Sequence, residues 1–201
     1  MTPRYPAGTV GALLKSDHVL PPTREALRER LERLAVVAPR FFDGAGFATL
    51  RAVCARLIPQ PERERPIDIA SGIDTRLADG GGDGWRYDAL PSDGEAYRLG
   101  LRGLDELAGD RHGAAFAALG GAEQDGVLSA VQSGQAWSGV WGTMPPDRFF
   151  EELLAEATEI YYAHPLAQEK IGYVGMADLP GWTRIGLDEL EEREPRLVDD
   201  P

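Results

Sequence analysis

Few residues in this chain could carry chemistry. One cysteine, Cys54, and three histidines, His18, His112 and His164, occur among 201 residues. A di-metal site in a helical bundle needs inward carboxylates joined to Glu-x-x-His pairs, and none of the histidines has an acid three residues before it. Glu151, Glu152, Glu156 and Glu159 fall mostly opposite the apolar stripe of their helix, which predicts a solvated acidic face. Ser71 and Ser138 lie outside any Gly-x-Ser-x-Gly elbow. Cys54 has Arg51 and Arg56 nearby, but its place on an apolar stripe predicts a buried, inert thiol. The glycine run from Gly80 to Gly84 is followed by no Gly-Lys-Ser/Thr and preceded by no apolar strand, so it reads as a turn and not as a phosphate cradle. His164, just before Pro165, is placed at a helix C-terminus, where the dipole favours an imidazolium and a cap or packing role. No catalytic, cofactor-binding or metal-ligating residue is assigned.

The totals narrow the partners. With 21 basic and 33 acidic residues the net charge is −12, which repels nucleic acid and anionic membrane surfaces. No apolar run approaches the ~20 residues that a membrane-crossing helix needs, so no direct membrane insertion is expected. A single cysteine leaves no internal disulfide framework and no thiolate zinc cluster. The start of the chain shows no twin arginine, and Val10 to Leu14 is too short and glycine-broken for a signal-peptide core. The expectation is a cytoplasmic protein, or a periplasmic one if the sequence is trimmed or exported with a partner.

The elements that must position these residues are helices. The strongest stretch is Pro145 to Met176. Phe149, Phe150, Leu153, Leu154, Ala157, Ile160 and Tyr161 recur at three- and four-residue spacing, and Pro165 stops the helix, which should run over 146–163. Upstream, Thr23 caps a helix carrying Leu27, Leu31 and Leu34 that ends near Pro39. Asp43 caps a second, which Pro59 stops. Pro66 opens a third, with Ile69, Ile73 and Leu77 on one face. Ser92 and Glu95 form a capping box before a helix in which Gly100 and Gly103 allow close approach. A shorter helix with Val127, Leu128 and Val131 ends at Gly134, and one or two further helical turns follow His164. The expected class is all-α, an irregular bundle of about six helices with long loops and extended terminal arms. Residues 1–22 read as an arm lying on an apolar surface, 23–172 as the helical domain, and 173–201 as an irregular tail packing on the domain or on a partner.

The motifs FFDGAGFATLRAVCARLIPQ, IDIASGIDTRLADG, AYRLGLRGLDELA, EQDGVLSAV, FFEELLAEATEIYYAHP and IGYVGM follow one another from about Phe41 to Gly186. In that order they resemble the gluconate 2-dehydrogenase subunit 3 family. The resemblance implies a small, non-catalytic subunit that binds and stabilises a large FAD-dependent oxidoreductase of the glucose-methanol-choline type. The flavin would lie in the partner and none in this chain. The substrates would be sugars, sugar acids or glycosides, and the assembly leaves room for a cytochrome c subunit that carries the electrons onward. Two other readings stand beside it: a transient folding or export chaperone for the same flavoprotein, and an independent small α-helical enzyme.

For a partner-binding chain, apolar and aromatic residues in irregular segments are the candidates, because leaving them wet is costly and such residues concentrate in interface cores. They are Tyr5, Leu13, Leu14, Trp137, Trp141, His164, Tyr173 and Trp182. For Trp137 and Trp141 the domain's own core is an equal alternative.

Overall fold

The computed structural model describes residues 8–32, 38–82, 89–137, 139–173, 184, 186, 187 and 189. Among them the only regular structure is helical: α1 (Thr9–Leu13), α2 (Pro21–Glu32), α3 (Gly44–Leu57), α4 (Ile69–Ala78), α5 (Asp93–His112), α6 (Gly121–Gln132), α7 (Pro146–Tyr162) and α8 (Pro165–Ile171), with 3₁₀ turns at Phe116–Ala118 and Gly139–Gly142. The all-α expectation holds. Six of these helices have ten or more residues, and α1 and α8 are the short additions. The chain divides into two compact units, Leu34–Tyr161 on the one hand and Met1–Arg33 with Tyr162–Pro201 on the other.

In the larger unit the helix starts follow local chemistry. Asp43 caps α3 by accepting from the Gly46 N–H at 2.7 Å, as its position predicts. The cap of α4 is Asp68 and not Pro66: its carboxylate takes the Ser71 N–H at 3.1 Å and the Ser71 hydroxyl at 2.7 Å. The capping box expected at Ser92 does not form, since the Ser92 side chain makes no cap bond; Asp93 and Glu95 in the first turn supply the favourable charge there. At α6 the Glu123 carboxylate reaches back to the Gly120 N–H at 2.9 Å, and Gly134 ends that stretch with a φ of 69°.

Helix α5 is the central element of this unit and packs on α3, α6 and both 3₁₀ turns. Its Tyr97, Leu101 and Leu104 are almost wholly buried, together with Leu50 and Val53 of α3, Ile73 of α4, Val127 and Val131 of α6, and Phe149, Leu153 and Ala157 of α7. The two glycines in α5 make that packing possible. A Cβ on Gly100 would stand 2.1 Å from Cζ of Phe149, and one on Gly103 would stand 2.6 Å from Cε2 of Trp141. Each ring therefore lies directly against helix backbone.

The smaller unit contains α1, α2 and α8. Its core joins Val10, Leu14, Val19 and Leu27, with Leu13 and Leu31 packed against it. Helix α1 lies where an irregular arm is expected. Five residues are too few for a helix to persist on propensity alone, and α1 exists because Val10 and Leu14 find a tertiary core and its free N–H groups find a carboxylate, Glu169.

Candidate functional site

Most of the buried polar groups hold the fold together. Helix α7 contributes Glu156, which is only 7% exposed, so the expected all-solvent acidic face is wrong at this position. Glu156 lies seven residues after Phe149 and three after Leu153, on the same stripe, and that spacing is the signal in the sequence that marks it as inward. Arg76 of α4 forks onto it, Nε to Oε1 at 2.5 Å and Nη2 to Oε2 at 2.6 Å. The Tyr97 hydroxyl of α5 donates to the same Oε2. Arg76 Nη1 also donates to Asp93 and to the Gly81 carbonyl, each at 3.2 Å. One charge cluster thus ties α4, α5 and α7.

Burial pushes the pKa of the Tyr97 hydroxyl well above its ordinary 10.0; the Glu156 charge and the hydrogen bond to it add to the rise, and Arg76 opposes it. Cys54 of α3 is buried as expected. Desolvation pushes its thiol far above the ordinary 9.0, with smaller contributions from Asp68 and Glu156. A thiol so held carries almost no thiolate at neutral pH and is a poor nucleophile.

Two further carboxylates do structural work. Asp74 of α4, fully buried, accepts from the backbone N–H groups of Arg40 at 2.7 Å, Phe41 at 3.0 Å and Phe42 at 3.1 Å, and so fixes the chain entering α3. Asp105 of α5 takes the Thr49 hydroxyl of α3 at 3.0 Å and the Phe116 N–H at 2.9 Å. Among the described residues no cluster of His, Cys, Asp and Glu could hold a metal ion.

The candidate interface residues go to different places. Tyr5 and Trp182 lie outside the described residues. Leu14 is buried in the small unit and Leu13 is packed against the same core. Trp141 is 5% exposed, and its Nε1–H donates to the Gly103 carbonyl at 3.0 Å. It serves the larger unit's own core, the alternative left open for it. Trp137, four residues earlier, is 79% exposed between two anchored neighbours, Ala136 and Val140, both buried. Val140 is further held by its N–H donating to Glu106 at 3.2 Å. Tyr173 is half exposed at the end of α8.

His164 caps, but at the opposite polarity from the expectation. It follows the end of α7 and is also the N-cap of α8, where its Nδ1 accepts from the Leu166 N–H at 3.2 Å. An acceptor at the start of α8 is the reverse of the donor role expected at the end of α7. The candidates named from sequence leave out exposed Tyr162, Leu166 and Ile171.

Residues 45–186 match the family model described as gluconate 2-dehydrogenase subunit 3, and the chain belongs to that family. Membership in a family named for one subunit of a dehydrogenase implies partner subunits. Comparison with curated proteins and with solved structures returns no match.

Proposed function

We propose that this chain is the small, non-catalytic subunit of an FAD-dependent dehydrogenase of the glucose-methanol-choline type, which it binds and stabilises. The substrate is a sugar, sugar acid or glycoside, the FAD is held by the large subunit, and a cytochrome c subunit is the natural further partner. The observation that carries this reading is the family match over residues 45–186, which extends from α3 through α8 and beyond. Two features support it. The buried titratable groups Cys54, Tyr97, Glu156 and Asp74 are engaged in holding helices together or sealed from solvent. Trp137 is 79% exposed, and a large exposed tryptophan is the type of residue that anchors partner surfaces.

The test is affinity capture of the tagged chain from its native host, with the masses and visible spectrum of what co-elutes. A yellow complex with a larger flavoprotein at fixed one-to-one ratio is expected. A colourless, monodisperse single chain overturns the reading. In the captured complex Trp137→Ala should weaken association at least tenfold, the scale of an interface anchor of about 1.4 kcal/mol or more. The melting temperature of the isolated chain should stay unchanged.

A further inference from the structure

The small unit is closed by one buried carboxylate. Glu169 of α8 is 9% exposed, and both its oxygens accept backbone N–H groups from the other end of the chain, Oε1 from Gly8 at 3.1 Å and Oε2 from Val10 at 2.8 Å. The start of α1 leaves those N–H groups without helical partners, and its dipole favours a negative charge there. A second tie lies at the surface, where Arg30 Nη1 of α2 donates to the Ala163 carbonyl at 3.0 Å.

Residues 8–32 are also bonded among themselves. Arg24 Nη2 donates to the carbonyls of Ser16 at 2.7 Å and Val19 at 2.8 Å, and the Ser16 hydroxyl donates to the Leu13 carbonyl at 2.7 Å. The α1–loop–α2 segment is thus one body with its own apolar face of Val10, Leu14, Val19 and Leu27. It lies outside the family match, and α8, on which both of its helices pack, lies inside it.

We propose that residues 8–32 form a strap, latched onto α8 by the Glu169 carboxylate, that opens as one body while the larger unit stays folded. The strap's apolar core is internal, all of its residues lying within 8–32, and the Glu169 and Arg30 bonds tie it to the chain around α8, so it is the kind of weakly tied segment that opens locally first. Opening breaks the bonds of Glu169 to Gly8 and Val10 and exposes that carboxylate. Any partner that prefers that open form draws the equilibrium toward it.

Hydrogen exchange on the full-length chain tests this, and because it needs no partner it is decided separately from the subunit reading. Detached from α8, the five-residue α1 does not stay helical, so in Glu169→Gln the amides of Gly8, Val10, Ala12 and Leu14 should exchange about 10- to 100-fold faster, the scale of losing a charge-assisted buried bond. Those of Leu50, Ile73 and Leu104 should be unchanged. Arg30→Gln, an exposed change that leaves the core intact, should raise the same strap amides by a smaller factor, about threefold. Unchanged strap exchange in Glu169→Gln overturns the latch. A rise shared equally by the larger unit in both variants overturns the independent opening.

Discussion

Replacing Glu156 by glutamine is the sharpest test of the buried charge cluster. The substitution keeps shape but removes the charge that faces the Arg76 fork and the Tyr97 hydroxyl. Breaking a buried pair from one side costs about 3–5 kcal/mol, because the remaining charge is left without compensation. Arg76 retains Asp93 and the Gly81 carbonyl, and its side chain is 24% exposed, so the lower end applies, about 3 kcal/mol. At about 2–4 °C per kcal/mol for a chain of this size, the melting temperature should fall by roughly 6–12 °C. Thermal unfolding by circular dichroism reads this directly. The triple variant Glu156→Leu, Arg76→Met, Tyr97→Phe removes all three polar partners together and should melt above Glu156→Gln, since Asp93, which loses Arg76, still sits in the first turn of α5 where the helix dipole favours its charge. A shift below about 2 °C for Glu156→Gln, under 1 kcal/mol, would refute the claim that this cluster is desolvated and holds α4, α5 and α7 in place.

Stability should also fall in alkali. Cys54 and Tyr97 keep their protons in the folded chain above the pH at which the unfolded chain releases them, so their contribution is complete below about pH 8.5 and declines as pH rises past 9 and then 10. The slope approaches about 1.4 kcal/mol per pH unit for each group. Urea midpoints from pH 8 to 10.5 should show it, Cys54→Ala with Tyr97→Phe should flatten it, and a flat wild-type profile would contradict the sealed positions of both groups. Gly100→Ala should destabilise by about 1–3 kcal/mol through the Phe149 clash, despite the better helix propensity of alanine, whereas Gly109→Ala, with open space at its Cβ, should stabilise by about 0.5–1 kcal/mol. Melting temperatures that move in the same direction for both would undo the packing argument. Asp74→Ala should cost about 2–4 kcal/mol by stranding the N–H groups of Arg40, Phe41 and Phe42, measured by urea unfolding; a loss under 1 kcal/mol would show that water replaces the carboxylate.

The helices, most of their faces and the family were legible in the order of residues. Periodic Leu and Phe positions predict α3, α5, α6 and α7, and Asp43, Gly134 and Pro165 mark their ends, because these signals act through local backbone geometry and a single-helix period. The ordered motifs carry the family, which the match over 45–186 shows. The glycines at 100 and 103 announce close approach, but the sequence does not say that Phe149 and Trp141 fill those places.

What only the tertiary structure decided is what the buried polar groups hold. The spacing of Glu156 from Phe149 and Leu153 places it on the inward stripe, but only the fold brings Arg76, 80 residues away in the chain, to supply its counter-charge. His164 reads as the end of α7 until the chain restarts as α8 and makes it an N-cap. The arm at the start of the chain becomes α1 because Glu169, about 160 residues later, accepts its N–H groups. Local pattern sets how a segment coils. A buried charge is tolerated only where a distant partner compensates it, and that pairing is decided by the fold.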